Sequence, residues 1–164
     1  MANRGIERSV QQSLLDRLVD LDPKVSSEVP PTWAASVRQL KAAVRRDLEW
    51  LLNTRRIATP APESFGELSR SLYHYGFPDI TSMSRDARDT RIRLMRQIEE
   101  TVATFEPRLA GVRVSLAESD DEKHRLRFLI EGLLRIEPNP EQVVFDTFLE
   151  ISSGEYHVKG DGRA

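Results

Sequence analysis

The chain contains no cysteine, which excludes disulfides, thiolate nucleophiles and cysteine-bound metals. It has only three histidines, His74, His124 and His157, and no pair stands at the i, i+4 or HExxH spacing of a metal site. No apolar run approaches the ~18 residues that a spanning helix needs. Charges also interrupt the opening MANRGIERSVQQSLLDRL every few positions, so it has no apolar core of signal-peptide type. Neither sign of charge dominates: 24 basic and 26 acidic side chains are interspersed and leave a net −2. Nucleic acid and direct membrane insertion are therefore not expected. The glycines stand singly, so GxGxxG, P-loop and GxSxG sequences are all missing. What remains is a composition somewhat polar for a globular protein but far from the disordered class, 39% hydrophobic and 30% charged, in a chain of about one domain's length that can bury a core. These features predict a soluble cytoplasmic chain.

Hydrophobic periodicity divides the chain into helices first and strands later. Ile6, Val10, Leu14, Leu15, Leu18 and Leu21 recur at three- and four-residue steps and predict an amphipathic helix over 6–21, ended by Asp22-Pro23. Residues 23–34, with three prolines and no period, read as a linker. Taken alone, the detached stripe favours a helix packed on its own domain over one that needs a partner. A second helix is expected from Ser36, as N-cap, to Thr54. Ser64-Phe65-Gly66-Glu67 has capping-box spacing and predicts a short helix carrying Leu68, Leu72 and Tyr75 before Gly76 and Pro78. A third helix, about 84–105, aligns Ile92, Met95, Ile98, Val102 and Phe105 with Leu109, and has Asp86 and Asp89 at its positive end. Its arginines at 85, 88, 91, 93 and 96 are flanked by acids and read as a solvated face.

After Pro107 the period becomes two. Val112, Val114 and Leu116 form one alternation, and Leu126, Phe128, Ile130, Leu134 and Ile136 a second. The second crosses Gly132, where a bulge or a close backbone approach is expected. The third comprises Val143, Phe145, Thr147, Leu149 and Ile151. SDDE (119–122) and Glu137-Pro138-Asn139-Pro140 read as turns, and Gly154 precedes a last short strand over Tyr156–Val158. The expected fold class is α+β: N-terminal helices followed by an antiparallel β-meander of three to four strands.

Catalytic signatures are few. Glycoside hydrolysis needs only two carboxylates, and Glu106, Glu131 and Asp146 have the most apolar sequence surroundings, yet no pair stands out. Two short segments are more distinctive. Glu106-Pro107-Arg108 sits at the helix-to-strand switch, where the proline ends the helix. A fixed bend there would aim a carboxylate and a guanidinium, whose planar fork suits bidentate docking. Tyr75-Gly76-Phe77-Pro78-Asp79 reads as a tight, partly buried aromatic corner.

These two segments occur in order with Leu14-Leu15-Asp16-Arg17-Leu18 and Arg46-Asp47-Leu48-Glu49-Trp50-Leu51-Leu52-Asn53-Thr54-Arg55. The set resembles the baseplate-wedge proteins of contractile injection machines, and among them the TssE proteins of Type VI secretion systems, over roughly residues 10–158. Phe77 stands where a leucine is expected in the family's corner.

The resemblance implies a structural, non-enzymatic baseplate component in the cytoplasm, at the inner membrane's cytoplasmic face, with no cofactor and no metal. The partners it implies are the wedge proteins TssF and TssG, the sheath proteins TssB/TssC and also TssK. It assigns partner docking to Glu106, Pro107 and Arg108. For the N-terminal segment it reverses the preference: Leu14, Leu15 and Leu18 become anchors in a partner's helical bundle, with Arg17 at the rim. The implied organisation is a docking helix at 1–22, a linker at 23–34 and one wedge domain at 35–160. Residues 142–159 are a candidate edge for strand pairing with the sheath, because they contain no proline and few charges between 143 and 149. Two alternatives stand beside this reading: a peptidoglycan-cleaving enzyme, as the family's "lysozyme-like" label suggests, and a wedge protein of a phage-tail-like particle.

Overall fold

The structure is a computed structural model and describes residues 9–19, 23–24, 30–59, 62, 64–78, 88–118 and 124–160. The chain divides into two compact units, 1–44 and 45–164, with the division inside a helix.

In the first unit the expected helix over 6–21 is reduced to α1, Leu14–Leu18; Ile6 and Leu21 lie outside the described residues. Hydrogen bonding explains why the helix does not start earlier. The Val10 N–H donates to Ser36 Oγ at 3.0 Å, and Gln12 Nε2 donates to the Ser36 carbonyl at 3.0 Å. Residues 10–12 are thus tied to another segment. Ser13 then caps α1, its Oγ accepting from the Asp16 N–H at 3.2 Å. None of the α1 side chains is buried.

Helix α2 spans Trp33–Asn53 and begins three residues before its expected start. Ser36 is not its N-cap: it is fully buried inside the helix, where its Oγ–H donates to the Trp33 carbonyl at 2.8 Å. Thr32 does the capping, its Oγ1 accepting from the Ala35 N–H at 3.3 Å. The expected linker 23–34 therefore ends in a helical turn, and its residues 25–29 lie outside the described residues.

In the second unit the predicted capping box does not form. Two 3₁₀ turns, Gly66–Arg70 and Leu72–His74, replace the short helix, and the first is preceded by Phe65, whose side chain makes no capping bond. Leu72 is exposed rather than packed. Helix α3 covers Arg88–Phe105 and buries Leu94, Ile98 and Val102, while Ile92 and Met95 are only half-buried. Arg91, Arg93 and Arg96 are half-buried or exposed, consistent with a solvated face. Residues 84–87, with Arg85 and Asp86, and the Arg88 side chain lie outside the described residues, as do the SDDE turn and Asp79.

Four strands follow: β1 (Leu109–Ala117), β2 (Arg125–Leu134), β3 (Glu141–Glu150) and β4 (Tyr156–Lys159). They form one antiparallel sheet in the order β1-β2-β3-β4, the meander that the period-two runs predict. One face buries Val114, Phe128, Ile130, Leu134, Val143, Phe145, Thr147, Leu149, Tyr156 and Val158, and α3 packs along β1. Leu116, at the end of its alternation, is exposed, and Ile151 has left the strand for a turn. Gly132 is the close approach and not the bulge. A Cβ there would lie 3.4 Å from the Ala110 carbonyl oxygen. The bulge is opposite, where the register shifts between Ala110 and Arg113 around Gly111 at φ 61°.

Candidate functional site

Three of the four motifs converge in the second unit. Glu106 follows the last turn of α3, its N–H bonded to the Val102 carbonyl at 2.8 Å, and Pro107 ends the helix. The bend turns the chain so that Arg108 doubles back onto Glu106. Arg108 Nε donates to Glu106 Oε1 at 2.6 Å, its Nη2 donates to Oε2, and its backbone N–H donates to Oε1 at 3.1 Å. Nη2 also donates to Asp47 Oδ2 on α2 at 2.6 Å. Asp47 Oδ1 in turn accepts from Arg46 Nε at 2.9 Å and Nη2 at 2.7 Å. The Arg108 carbonyl accepts from the Arg135 N–H at 2.8 Å, which fixes the bend to the end of β2.

Glu106 is 4% exposed, so its charge is tolerated only because the guanidinium answers it. Burial works to lower the Arg108 pKa. The hydrogen bonds and charges of Glu106 and Asp47 outweigh that effect and raise it further above the ordinary value. Arg108 Nη1 has no hydrogen-bond partner among the described residues. Nε and both Nη2 hydrogens are thus committed inward, and the Nη1 hydrogens remain.

The corner motif closes the same cluster. Gly76 is at φ 104°, and a Cβ there would lie 2.3 Å from the Thr54 carbonyl oxygen, so only glycine fits. The Phe77 N–H donates to that carbonyl at 2.7 Å, and the Arg56 N–H donates to the Phe77 carbonyl at 2.9 Å. The corner is thereby bound to the chain leaving α2. Phe77 is buried, edge-on to Tyr156 at 5.6 Å, so the larger ring is accommodated. Tyr75 packs edge-on to Phe105 at 5.4 Å. Its hydroxyl pKa is raised, first by burial and then by the charges of Asp47 and Glu106.

On the α2 surface beside Asp47, Trp50 is 53% exposed, with the Arg46 guanidinium 5.0 Å from its ring centre. Leu14, Leu15 and Leu18 of the first unit are 76%, 55% and 81% exposed, and Arg17 is exposed too.

The expected strand edge differs from its reading in sequence. The Asn53 side chain at the end of α2 accepts from the Tyr156 N–H and donates to the Tyr156 carbonyl, both at 2.8 Å. Arg45 Nη1 donates to the Val158 carbonyl at 3.4 Å. The β4 edge is therefore covered by helix side chains. Asn53 stands in a quoted motif, but its pairing with Tyr156 has no local pattern because the two are 103 positions apart. Asp47 lies in the same motif, and its pairing with Arg108, 61 positions away, leaves no local pattern either.

The acids considered for glycoside hydrolysis do not form a catalytic pair. Glu106 is clasped by Arg108, and Asp146 by Arg127 through two bonds of 2.9 Å. A general acid stands unpaired in an apolar pocket. Glu150, Glu155 and His157 bring their ligand atoms within 4.8 Å of one another, but they are exposed or half-buried. Among the described residues, no helix is long and apolar enough to cross a membrane.

A family model described as baseplate wedge protein gp25 matches residues 38–139. This range runs from the first half of α2 to the turn before β3 and includes Asp47, the Tyr75–Pro78 corner and Glu106–Arg108. A chain in a solved structure of the baseplate complex from the type VI secretion system aligns with 68% of this chain and 94% of its own length, at 21% identity and a TM-score of 0.47. No curated protein sequence matches the chain.

Proposed function

Because the chain belongs to the gp25 family of baseplate wedge proteins, we propose that it joins the wedge complex of a Type VI secretion baseplate to the contractile sheath. The family's role is structural and not catalytic. The observation that carries the proposal is the match over 38–139, within which the motif residues form one clasp.

In this reading the chain works at the cytoplasmic baseplate with TssF and TssG, the sheath proteins TssB/TssC and also TssK. Glu106 and Pro107 hold the Arg108 fork, whose Nη1 edge is offered to a partner's carboxylate or backbone carbonyl. Leu14, Leu15 and Leu18 insert as apolar anchors, with Arg17 at the rim. Their exposure supports this, because three leucines left in water on a five-residue helix gain free energy when covered. A strand from the sheath pairing with the C-terminal edge at β4 would have to displace Asn53 from Tyr156.

Co-purification from native extract tests the reading. The wild type should bring wedge and sheath proteins with it. A variant with Leu14, Leu15 and Leu18 all changed to serine should keep its stability and lose the wedge proteins. Full retention of the wedge proteins by that variant would remove the helix from the docking mechanism. A wild type that brings neither wedge nor sheath proteins would sink the proposal as a whole.

A further inference from the structure

In the antiparallel β3–β4 pair, Tyr156 lies opposite Leu149 and Val158 opposite Thr147. Backbone groups alternate in direction along a strand. Glu155 turns its carbonyl towards β3, where it accepts from the Glu150 N–H at 2.8 Å. Tyr156 and Val158 therefore turn theirs outward, to the open side of the sheet. There the Asn53 amide meets Tyr156 as a neighbouring strand would, giving one bond and taking one, and Arg45 covers the Val158 carbonyl. The opposite edge is treated alike: the Val114 N–H of β1 donates to Glu99 Oε1 of α3 at 2.7 Å. On both edges, helix side chains occupy outward strand groups.

We propose that Asn53, with Arg45, is an edge guard that stops β4 from pairing with β4 of a second copy of this chain. The geometry of that excluded pairing follows from the register. With two β4 strands antiparallel and His157 opposite His157, Tyr156 of one copy would exchange both hydrogen bonds with Val158 of the other. Asn53 occupies the place of that second residue. The same register sets Lys159 opposite Glu155, both exposed, so opposite charges would favour the pairing once the guard is removed. A bare β-edge is a general template for association. The guard is local to the edge and does not depend on the secretion role.

The experiment is sedimentation of Asn53→Ala and Arg45→Ala, singly and together, with the folded state checked by circular dichroism. The wild type should sediment as an 18.7 kDa monomer. Asn53→Ala should rise towards twice that mass with concentration, Arg45→Ala should rise less, and the pair most. Hydrogen exchange at the Tyr156 N–H should be slow in the wild type and about five- to tenfold faster in monomeric Asn53→Ala, the factor for one lost hydrogen bond. A folded Asn53→Ala that stays monomeric overturns the proposal. Should Asn53→Ala not fold, the other two measurements decide: unprotected exchange of Tyr156 in the wild type, or a folded Arg45→Ala that stays monomeric at every concentration, overturns it equally.

Discussion

Replacing Arg108 with methionine tests whether the clasp at the helix-to-strand bend holds the fold. Methionine keeps an unbranched stem and removes the guanidinium, and with it the bonds to both Glu106 oxygens and to Asp47. Among the described residues, Glu106 would then retain only the backbone N–H of residue 108, at 3.1 Å. Stranding one member of a buried ion pair costs about 3–5 kcal/mol. The Arg108 side chain is 25% exposed, so water recovers part of the loss, and about 2–4 kcal/mol is expected. For a chain of this length that lowers Tm by roughly 5–12 °C. Glu106→Gln alone removes the charge but keeps an acceptor for Nε, and should cost about 1–2 kcal/mol. In the double variant no carboxylate is stranded, so its cost should fall short of the sum by at least about 1 kcal/mol. Urea denaturation followed by tryptophan fluorescence measures all three, since Trp50 lies against Arg46 beside Asp47. An Arg108→Met change below about 0.5 kcal/mol, or strict additivity in the double variant, would refute the clasp.

Gly76→Ala should destabilise by more than about 2 kcal/mol. The left-handed backbone alone costs about 1–2 kcal/mol, and the new methyl, 2.3 Å from the Thr54 carbonyl oxygen, must also break the Phe77 bond; an unchanged urea midpoint would contradict this. Thr147→Val should stabilise by about 1 kcal/mol, because Thr147 Oγ1 is buried without a hydrogen-bond partner among the described residues, and a lower midpoint would count against that. Stability should decline as pH rises above about 10. Burial raises the pKa of Tyr156, and burial with the nearby acids raises that of Tyr75, so the unfolded state ionises first and the tyrosine contribution is fully present only below that pH. Denaturation midpoints on either side of about pH 10, with Tyr156→Phe showing a smaller decline, check the sign.

Much of the fold was legible because its signals are local. The period-two runs in Val143–Leu149 and Phe128–Leu134 became paired strands with those residues on the buried face. The α3 stripe at Ile98 and Val102 is buried as expected. Helix ends were less legible. Ser36 has the chemistry of a cap, yet Thr32 takes that role and frees Ser36 Oγ for the Val10 N–H. The amphipathic pattern over 6–21 overstated α1, because nothing in a pattern shows that residues 10–12 hydrogen-bond to Ser36 instead. Ser64-Phe65-Gly66-Glu67 had the spacing of a capping box, but a 3₁₀ turn places side chains differently from an α-helix.

The sequence by itself determined the α+β order, an antiparallel meander of three to four strands and the motif series that resembles the baseplate-wedge family. These follow from periodicity, turn residues and short contiguous motifs. Only the tertiary structure decided what the motif residues touch. It turned Nε and Nη2 of Arg108 inward onto Glu106 and Asp47, seated Gly76 against Thr54, and covered the β4 edge with Asn53 and Arg45. The physical reason is separation along the chain. Arg108 and Asp47 are 61 residues apart and Asn53 and Tyr156 are 103 apart, so their contacts exist only once helix and sheet have packed.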